Sequence, residues 1–470
     1  MFLTRRKSID TLLEHEEHHQ LKKTLSWPHL VALGVGAIVG TGIYTLIGVG
    51  AGLAGPAVIL SFIIAGIVCA CAALAYAEMS TMMPAAGSAY TYSYTVLGEG
   101  LAWIVGWSLI LEYTVVCAAV AVGWSGHAAE FLPWLPKVLL AGPWDPTSPG
   151  LVNLPAVFIT LLVTGLLVVG TRESATVNLV LVVIKISALA LFVALALPAF
   201  NPDHFHPFMT RGFSGTEIQD GKTVKVGVMA AASIMFFAFY GFDAVSTAAE
   251  ETKNPGRNLT IGIVGSMLIC TLIYMVVAGA AIGALAVPEF AAAAAPLVNV
   301  LKVLKHPLAG EVIAAAAVLA LPTVIMAFMY GQSRIFFVMA RDGLLPRGMA
   351  RVNQRTGTPI VMTMFTGVIA AVIAGAVPLA DIAAVANAGT LCAFIAALIC
   401  MAVLRMREPG RKREFRAPVW PAVAIVGIGG CLYLFTTLPN TAIWAFFIWN
   451  GVGVVVYLAY SAWNSRLAKA

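Results

Sequence analysis

Apolar runs of about 20 residues, long enough to cross a bilayer as helices, recur from Pro28 almost to the C-terminus, separated by short polar or Gly/Pro-bearing segments. Windows of that size predict twelve spans, starting near Pro28, Gly55, Leu101, Asn153, Val177, Val226, Thr260, Leu308, Pro359, Asp381, Pro418 and Thr441. Two spans are interrupted. In the first, Gly34 to Gly48 reads GVGAIVGTGIYTLIG, and Gly40, Thr41 and Gly42 make a poor continuous helix. In the sixth, Val226 to Glu250, the interruption falls at Phe239, Tyr240, Gly241, Phe242 and Asp243. A break at mid-membrane frees N–H and C=O groups that lipid cannot satisfy, so each must face protein, a cavity or a ligand.

Five crossings separate the two breaks, so the broken spans run in opposite directions. Interrupted helices at matching positions of two antiparallel five-helix units point to a secondary transporter built as an inverted repeat. The expected fold is an all-α integral membrane protein with twelve transmembrane helices. A 5+5 inverted-repeat core carries broken helices 1 and 6, and two extra helices follow. The chain then divides into a cytoplasmic tail (1–27), a ten-helix transport core (28–404), a basic loop (405–417) and two C-terminal helices with a short tail (418–470). Composition strengthens this picture: 60% of the 470 residues are apolar, 11% are charged and mean hydropathy is +0.91. A soluble multidomain enzyme needs no such series of spans.

Charge sets the orientation. With both termini in the cytoplasm, 21 of the 28 Lys and Arg residues fall on cytoplasmic segments. Lys137, Arg211, Lys222, Lys225, Lys302 and Lys305 fall outside, and Lys185 lies within a span. The positive-inside rule therefore predicts two cytoplasmic termini. The basic run RKREFR, with Arg405 and Arg407, reads first as a topology signal and second as a contact for anionic lipid. The longer outer loops, Ala128 to Val152 and Pro198 to Lys225, read as ordered and non-catalytic. The chain opens on about 27 polar and charged residues and shows no cleavable signal peptide.

Several motifs lose to simpler readings. Gly34-x-Gly36-x-x-x-Gly40 has one residue too many for a dinucleotide fingerprint and follows no strand, whereas Gly36-x-x-x-Gly40 suits close helix packing. His15-Glu-Glu-His-His19 matches HExxH as a string but lies in a polar tail without an apolar supporting helix, so no metal site is expected. The seven cysteines sit in apolar segments and read as small buried hydrophobes. Nothing indicates a cofactor, nucleophilic catalysis or nucleic acid, and the chain is not expected to be an enzyme.

The breaks themselves carry the chemistry. Free amides at the start of the second half-helix of span one, with its positive dipole end, suit a carboxylate. Carbonyls ending the half-helix of span six, around Phe237, Ala238 and Tyr240, suit an ammonium. Together they describe a receptor for a zwitterion. Lys185 lies near the middle of NLVLVVIKISALALFVALAL, where a lysine costs ~2.5–3.5 kcal/mol on insertion scales and is a functional candidate by default. It is read either as a tether to neighbouring carbonyls or as a titrating group for proton coupling. Glu112 and Asp243 are the other deep charges; each can pair with a cation, relay a proton, contact a cationic substrate or hold unwound backbone. Glu78, Glu250 and Glu251 fall at cytoplasmic helix ends, either solvated or paired across an inner gate with Lys253, Arg257 or Arg334.

GAIVGTGIY in span one, FFAFYGFDAVSTAAEETKNPGRNL across span six, YGQSR at 330–334, ARDGLLP at 340–346 and REFRAP at 413–418 carry a family resemblance. As a set they resemble the amino acid-polyamine-organocation superfamily, and within it the cationic amino acid transporter branch with its bacterial proton-coupled homologues. The resemblance covers the chain after the polar tail. It implies a leucine-transporter-like core with alternating access and secondary transport of L-amino acids, cationic or small neutral, by proton symport. It places the substrate carboxylate on Thr41 and Gly42 beside Ile38 and Gly40, and the α-amino group on carbonyls of Phe237, Ala238 and Tyr240. Lys185 matches the fifth-helix lysine that stands where a sodium ion would sit, and Glu112 and Asp243 match acidic positions of the branch. The implied partners are an L-amino acid, protons and membrane lipid, with a small single-span accessory subunit as a further candidate. The implied location is the inner (plasma) membrane. An obligate amino acid or polyamine exchanger and a membrane amino acid sensor remain alternatives.

Overall fold

Gly55 turns the first long apolar stretch, Trp27–Met82, back through the bundle. It takes the left-handed region at φ +67, and a Cβ there would lie 2.1 Å from Thr210 Oγ1, so both conformation and space require glycine. The computed structural model describes residues 5–8, 25–84, 87–145, 149–170, 175–219, 222–350 and 359–469. The His15 to His19 string, Arg172, Arg351, Arg355 and the Glu250 side chain lie outside the described residues. Among those described, nine helical stretches are long and apolar enough to cross a membrane, and Leu154–Val169 and Ile360–Ala376 are shorter apolar helices.

Helix α1 (Trp27–Ile38) starts behind Ser26 with Pro28 in its first turn, where a missing N–H costs nothing. After the first break, a π-helical turn (Gly42–Leu46) leads into α2 (Ile47–Ala54), and α3 (Val58–Met82) returns. Next come a short α4 (Ser88–Val96), the 30-residue α5 (Glu99–Ala128), α6 (Leu154–Val169) and α7 (Ala175–Ala196). The sixth span is α8 (Val228–Met235), a 3-10 turn (Phe236–Ala238) and α9 (Phe242–Thr247). Helix α10 (Pro255–Ala284) leads through short α11 (Val287–Ala291) and α12 (Pro296–Val303) to α13 (Pro307–Arg341). The chain ends with α14 (Ile360–Ala376), α15 (Leu379–Arg407), α16 (Trp420–Thr437) and α17 (Asn440–Val456).

Packing follows burial. Helix α5 lies deep in the bundle against α13 and α15, α10 packs along α1 and α3, and α14 packs on α6. Helix α17 is clasped to α5 by indoles. The Trp107 and Trp449 rings stack at 4.9 Å, and each donates its N–H to the other's backbone carbonyl, at 2.9 and 2.8 Å. Trp103 stacks on Trp107 at 5.3 Å and donates to Gly453 O at 2.8 Å.

Among the described residues, the fold departs from an all-helical expectation in one pair of strands. There β1 (Gly215–Gln219) and β2 (Lys222–Val226) pair as an antiparallel hairpin. Lys225 Nζ donates to the Thr436 and Leu438 carbonyls at the end of α16, at 2.6 and 2.7 Å. The chain termini meet at the other end of the bundle, where Arg466 N donates to Asp342 O at 2.9 Å and Arg5 Nη1 to Ala462 O at 3.4 Å.

Glu78 corrects a second expectation. It is buried rather than solvated, and among the described residues its ion pairs are with Arg405 and Arg413, not with Lys253, Arg257 or Arg334. Arg405 grips its two carboxylate oxygens at 2.7 Å each, Arg413 Nε lies 3.1 Å away, and Ala417 N donates at 2.8 Å. The Arg413 guanidinium also donates to the carbonyls of Leu404 and Glu408, which end α15. Part of the basic run is thus an internal staple between α3 and α15, because a buried carboxylate needs both countercharge and donors.

Candidate functional site

The first break forms where helix-poor residues meet distant donors. Val39, which caps α1, is extended at ψ 95, and the Gly40 carbonyl accepts from Ile43 N and Tyr44 N at 3.2 and 3.3 Å. The last carbonyls of α1 are taken by other helices. Tyr274 of α10 donates to Ile38 O at 2.7 Å, and Lys185 of α7 donates to Gly36 O at 2.8 Å. Tyr44, just past the break, donates back to Lys185 O at 3.1 Å. The glycines divide the labour. A Cβ on Gly34 would meet Ser266 of α10 at 2.4 Å, and one on Gly36 would meet Asn178 and Val182 of α7 at 3.0 Å, so both serve packing. At Gly40 the nearest atom would be 3.6 Å away.

The second break turns at Gly241, φ +121, where a Cβ would lie 2.9 Å from the Ala37 carbonyl carbon. Asp243, in the first turn of α9, accepts from Gly241 N at 3.1 Å and from the Tyr113 hydroxyl of α5 at 2.6 Å. A first-turn carboxylate thus reaches back to the amide of the N-cap residue, Gly241, with the helix dipole adding to the attraction. At the other side of the break Asn387 of α15 donates to Ser233 O at 2.6 Å.

The two breaks touch. A Cβ on Gly42 would lie 2.4 Å from Ala238 Cα, so the start of the second half-helix of span one rests on the end of the first half-helix of span six. Ile38, Gly40, Thr41 and Gly42 are thereby brought together with Phe237, Ala238 and Tyr240. All seven are buried. Polar groups around them lack partners: Thr41 Oγ1, Thr45 Oγ1, the Tyr240 hydroxyl and both carboxylate oxygens of Glu112 make no ordinary hydrogen bond among the described residues. The Thr390 hydroxyl of α15 faces both Glu112 and Tyr240 while donating to Ala386 O at 3.1 Å. Buried polar groups are normally satisfied, so a set left open at one place is a place for a ligand. Aromatic rings wall it: Tyr113 lies 5.3 Å from Phe328, and Tyr240 lies 5.0 Å from Phe237 and 6.4 Å from Phe328.

Lys185 and Asp243 flank this cluster rather than enter it, each already engaged with unwound backbone, and Glu112 lies within it. Tyr113, Tyr274, Asn387 and Thr390 also shape the site. Each is a polar residue inside an apolar span, which is the signal that could have singled them out.

The end carrying the termini is cross-tied. Arg334 of α13 pairs with Glu251 and donates to Thr247 O at 2.8 Å, tying α13 to the end of α9. Leu25 pairs with Thr252 through backbone bonds, Leu25 N to Glu251 O at 3.0 Å and Lys253 N to Leu25 O at 2.8 Å. Of the pairings expected for an inner gate, Glu251 with Arg334 is therefore present.

Residues 25–459 match the family model for amino acid permeases. The chain is 40% identical over 469 residues to a branched-chain amino acid permease of Bacillus subtilis, covering 98% of each chain. It is 39% identical over 472 residues to a methylthioribose transporter of the same organism, covering 99% of each. It is also 39% identical over 417 residues to a vacuolar cationic amino acid transporter of Arabidopsis thaliana, covering 87% of this chain and 64% of that one.

Proposed function

The chain belongs to the amino acid permease family, and we propose that it carries L-amino acids across the inner (plasma) membrane as a proton symporter working by alternating access. In this reading it crosses twelve times, as an inverted-repeat core with two added helices, and both termini face the cytoplasm. The observation that carries the reading is the contact of two helix breaks at Gly42 and Ala238 inside a buried set of unpartnered polar groups. The substrate carboxylate lies on the amides at Thr41 and Gly42. Its ammonium lies against the carbonyls of Phe237, Ala238 and Tyr240.

Lys185 supplies the coupling. Its ammonium sits on the Gly36 carbonyl at the first break, so loss of its proton would weaken a charge-assisted bond between α7 and α1 and link protonation to the hold on that half-helix. Glu112 and Asp243 complete the proton-linked set. The substrate is cationic or small and neutral. The aromatic wall, together with the names of the Bacillus subtilis and Lactococcus lactis branched-chain permeases, favours aliphatic side chains, whereas the buried carboxylate of Glu112 favours a cationic one.

Proteoliposomes separate these readings. Uptake of labelled leucine, alanine or arginine against its gradient when an inward proton gradient is imposed supports symport. Exchange without net uptake would replace it with an obligate exchanger. Tight binding with no flux of any kind would leave a sensor.

A further inference from the structure

Two buried carboxylates at the end carrying the termini take no part in the central site, and both are set up as sockets. Glu99, fully buried at the start of α5, accepts from the hydroxyls of Tyr94 and Tyr457 at 2.9 and 3.0 Å and from Ser465. Asp342, 3% exposed just past α13, accepts from the Tyr90 hydroxyl at 2.8 Å. Hydroxyl donors alone do not compensate two desolvated carboxylates; cations are needed. They come from the beginning of the chain. Arg5 Nη1 lies 4.0 Å from Glu99, and Lys7 pairs with Asp342 while standing 4.9 Å over the Tyr94 ring.

The backbone reads the same segment. Glu99 N donates to Arg5 O at 2.8 Å, and Lys7 N donates to Tyr94 O at 3.4 Å. Arg5 and Lys7 are half-buried while Arg6 and Ser8 are exposed, the alternation of an extended peptide docked on one face. The fit is held against opposition. Burial lowers the Lys7 pKa, the Asp342 charge opposes that shift, and Arg341 and Arg466 repel the ammonium.

We infer that Glu99 and Asp342 with their hydroxyl donors form a binding site for an extended Arg-x-Lys segment. Its occupant is the chain's own Arg5–Lys7, which acts as a releasable latch. The latch joins α4, α5, the end of α13 and the C-terminal turn. It is docked in the same state that holds the Arg334–Glu251 and Leu25–Thr252 contacts across that end. Undocking lets that end open more often.

The test uses the full-length protein with R5A and K7A together, which empties both sockets and leaves the central site untouched. A fluorescent peptide of residues 1–8 should bind this variant in detergent. The same peptide with both cations replaced by alanine should bind about tenfold or more weakly. Adding Glu99→Gln and Asp342→Asn to the protein should abolish the difference between the peptides. In proteoliposomes the double variant should exchange substrate about two- to tenfold faster than the parent, and peptide supplied at the terminus side should slow it again. Equal binding of the two peptides by the R5A/K7A protein would overturn the site, and an unchanged exchange rate with the site intact would overturn the latch. Peptide binding is read without transport, so its failure is distinct from failure of the proposed transport function. Should the double variant unfold, Arg5→Lys and Lys7→Arg, which keep the charges, should restore parental exchange.

Discussion

The two helix breaks reach similar ends by different means. The first is built from residues that tolerate unwinding and is held by side chains far away in sequence: Tyr274 takes Ile38 O, and Lys185 takes Gly36 O. The second carries its own fastening, since Asp243 caps the Gly241 amide two residues back, with Tyr113 and Asn387 in support. A break held from outside moves when its holders move, whereas one held from inside keeps its shape. In the proposed symport, the first break is therefore the place where a change in protonation would be turned into a change of conformation.

The sharpest way to break this comparison is at their contact. Gly42→Leu places a side chain against Ala238 Cα, and the expected outcome is loss of amino acid binding in a thermal-shift assay, with ~1–3 kcal/mol of overpacking in the inserted protein. Unaltered affinity would remove the central assignment. Next in size, Lys185→Ala should abolish uptake driven by an imposed pH gradient while the protein still binds substrate. A variant with a normal proton-driven rate would reduce Lys185 to a tether.

Tyr274→Phe strands the Ile38 carbonyl and should cost ~1–3 kcal/mol in denaturant unfolding, together with weaker substrate binding. A Tyr274→Phe protein with parental affinity would show that the first break does not need its distant donor. Asp243→Asn keeps one acceptor for Gly241 N, so stability should fall by only about 1 kcal/mol while the transport rate falls further. A loss confined to melting temperature would make Asp243 a cap and nothing more. Smallest of all, Gly40→Ala meets Val324 and Leu321 of α13 only at ordinary van der Waals distances, 3.6 and 3.8 Å, and should change stability by less than about 0.5 kcal/mol; a large effect would show that Gly40, not only Gly42, sets the close contact.

Local pattern carried most of the scaffold. Apolar runs placed α1, α5, α6 and α17 within a few residues of their observed starts, and glycine in an apolar run marked both breaks. Missing were features whose two halves lie far apart in the chain. No periodicity links Glu78 to Arg405 and Arg413, or Arg5 to Glu99, because neighbours in sequence do not report which distant charge will share a buried pocket. The hairpin did have a local signal, Asp220-Gly221 between the alternating stretches GTEIQ and KTVKV. Within the site, the backbone groups were legible because unwinding is a local property. The donors Tyr274 and Asn387 were not, since a lone polar residue in an apolar helix does not say which carbonyl it serves.

The Trp103, Trp107 and Trp449 stack offers a consequence of another kind. Indoles at centroid separations of 4.9 and 5.3 Å couple their electronic transitions, so this trio should give a near-ultraviolet circular dichroism signal distinct from the isolated tryptophans. The chromophores are pinned to both α5 and α17. Their spectrum therefore reports on one fixed joint of the molecule: constant ellipticity during substrate turnover would mark α5 and α17 as a stationary frame, and a changing band would show that frame flexing.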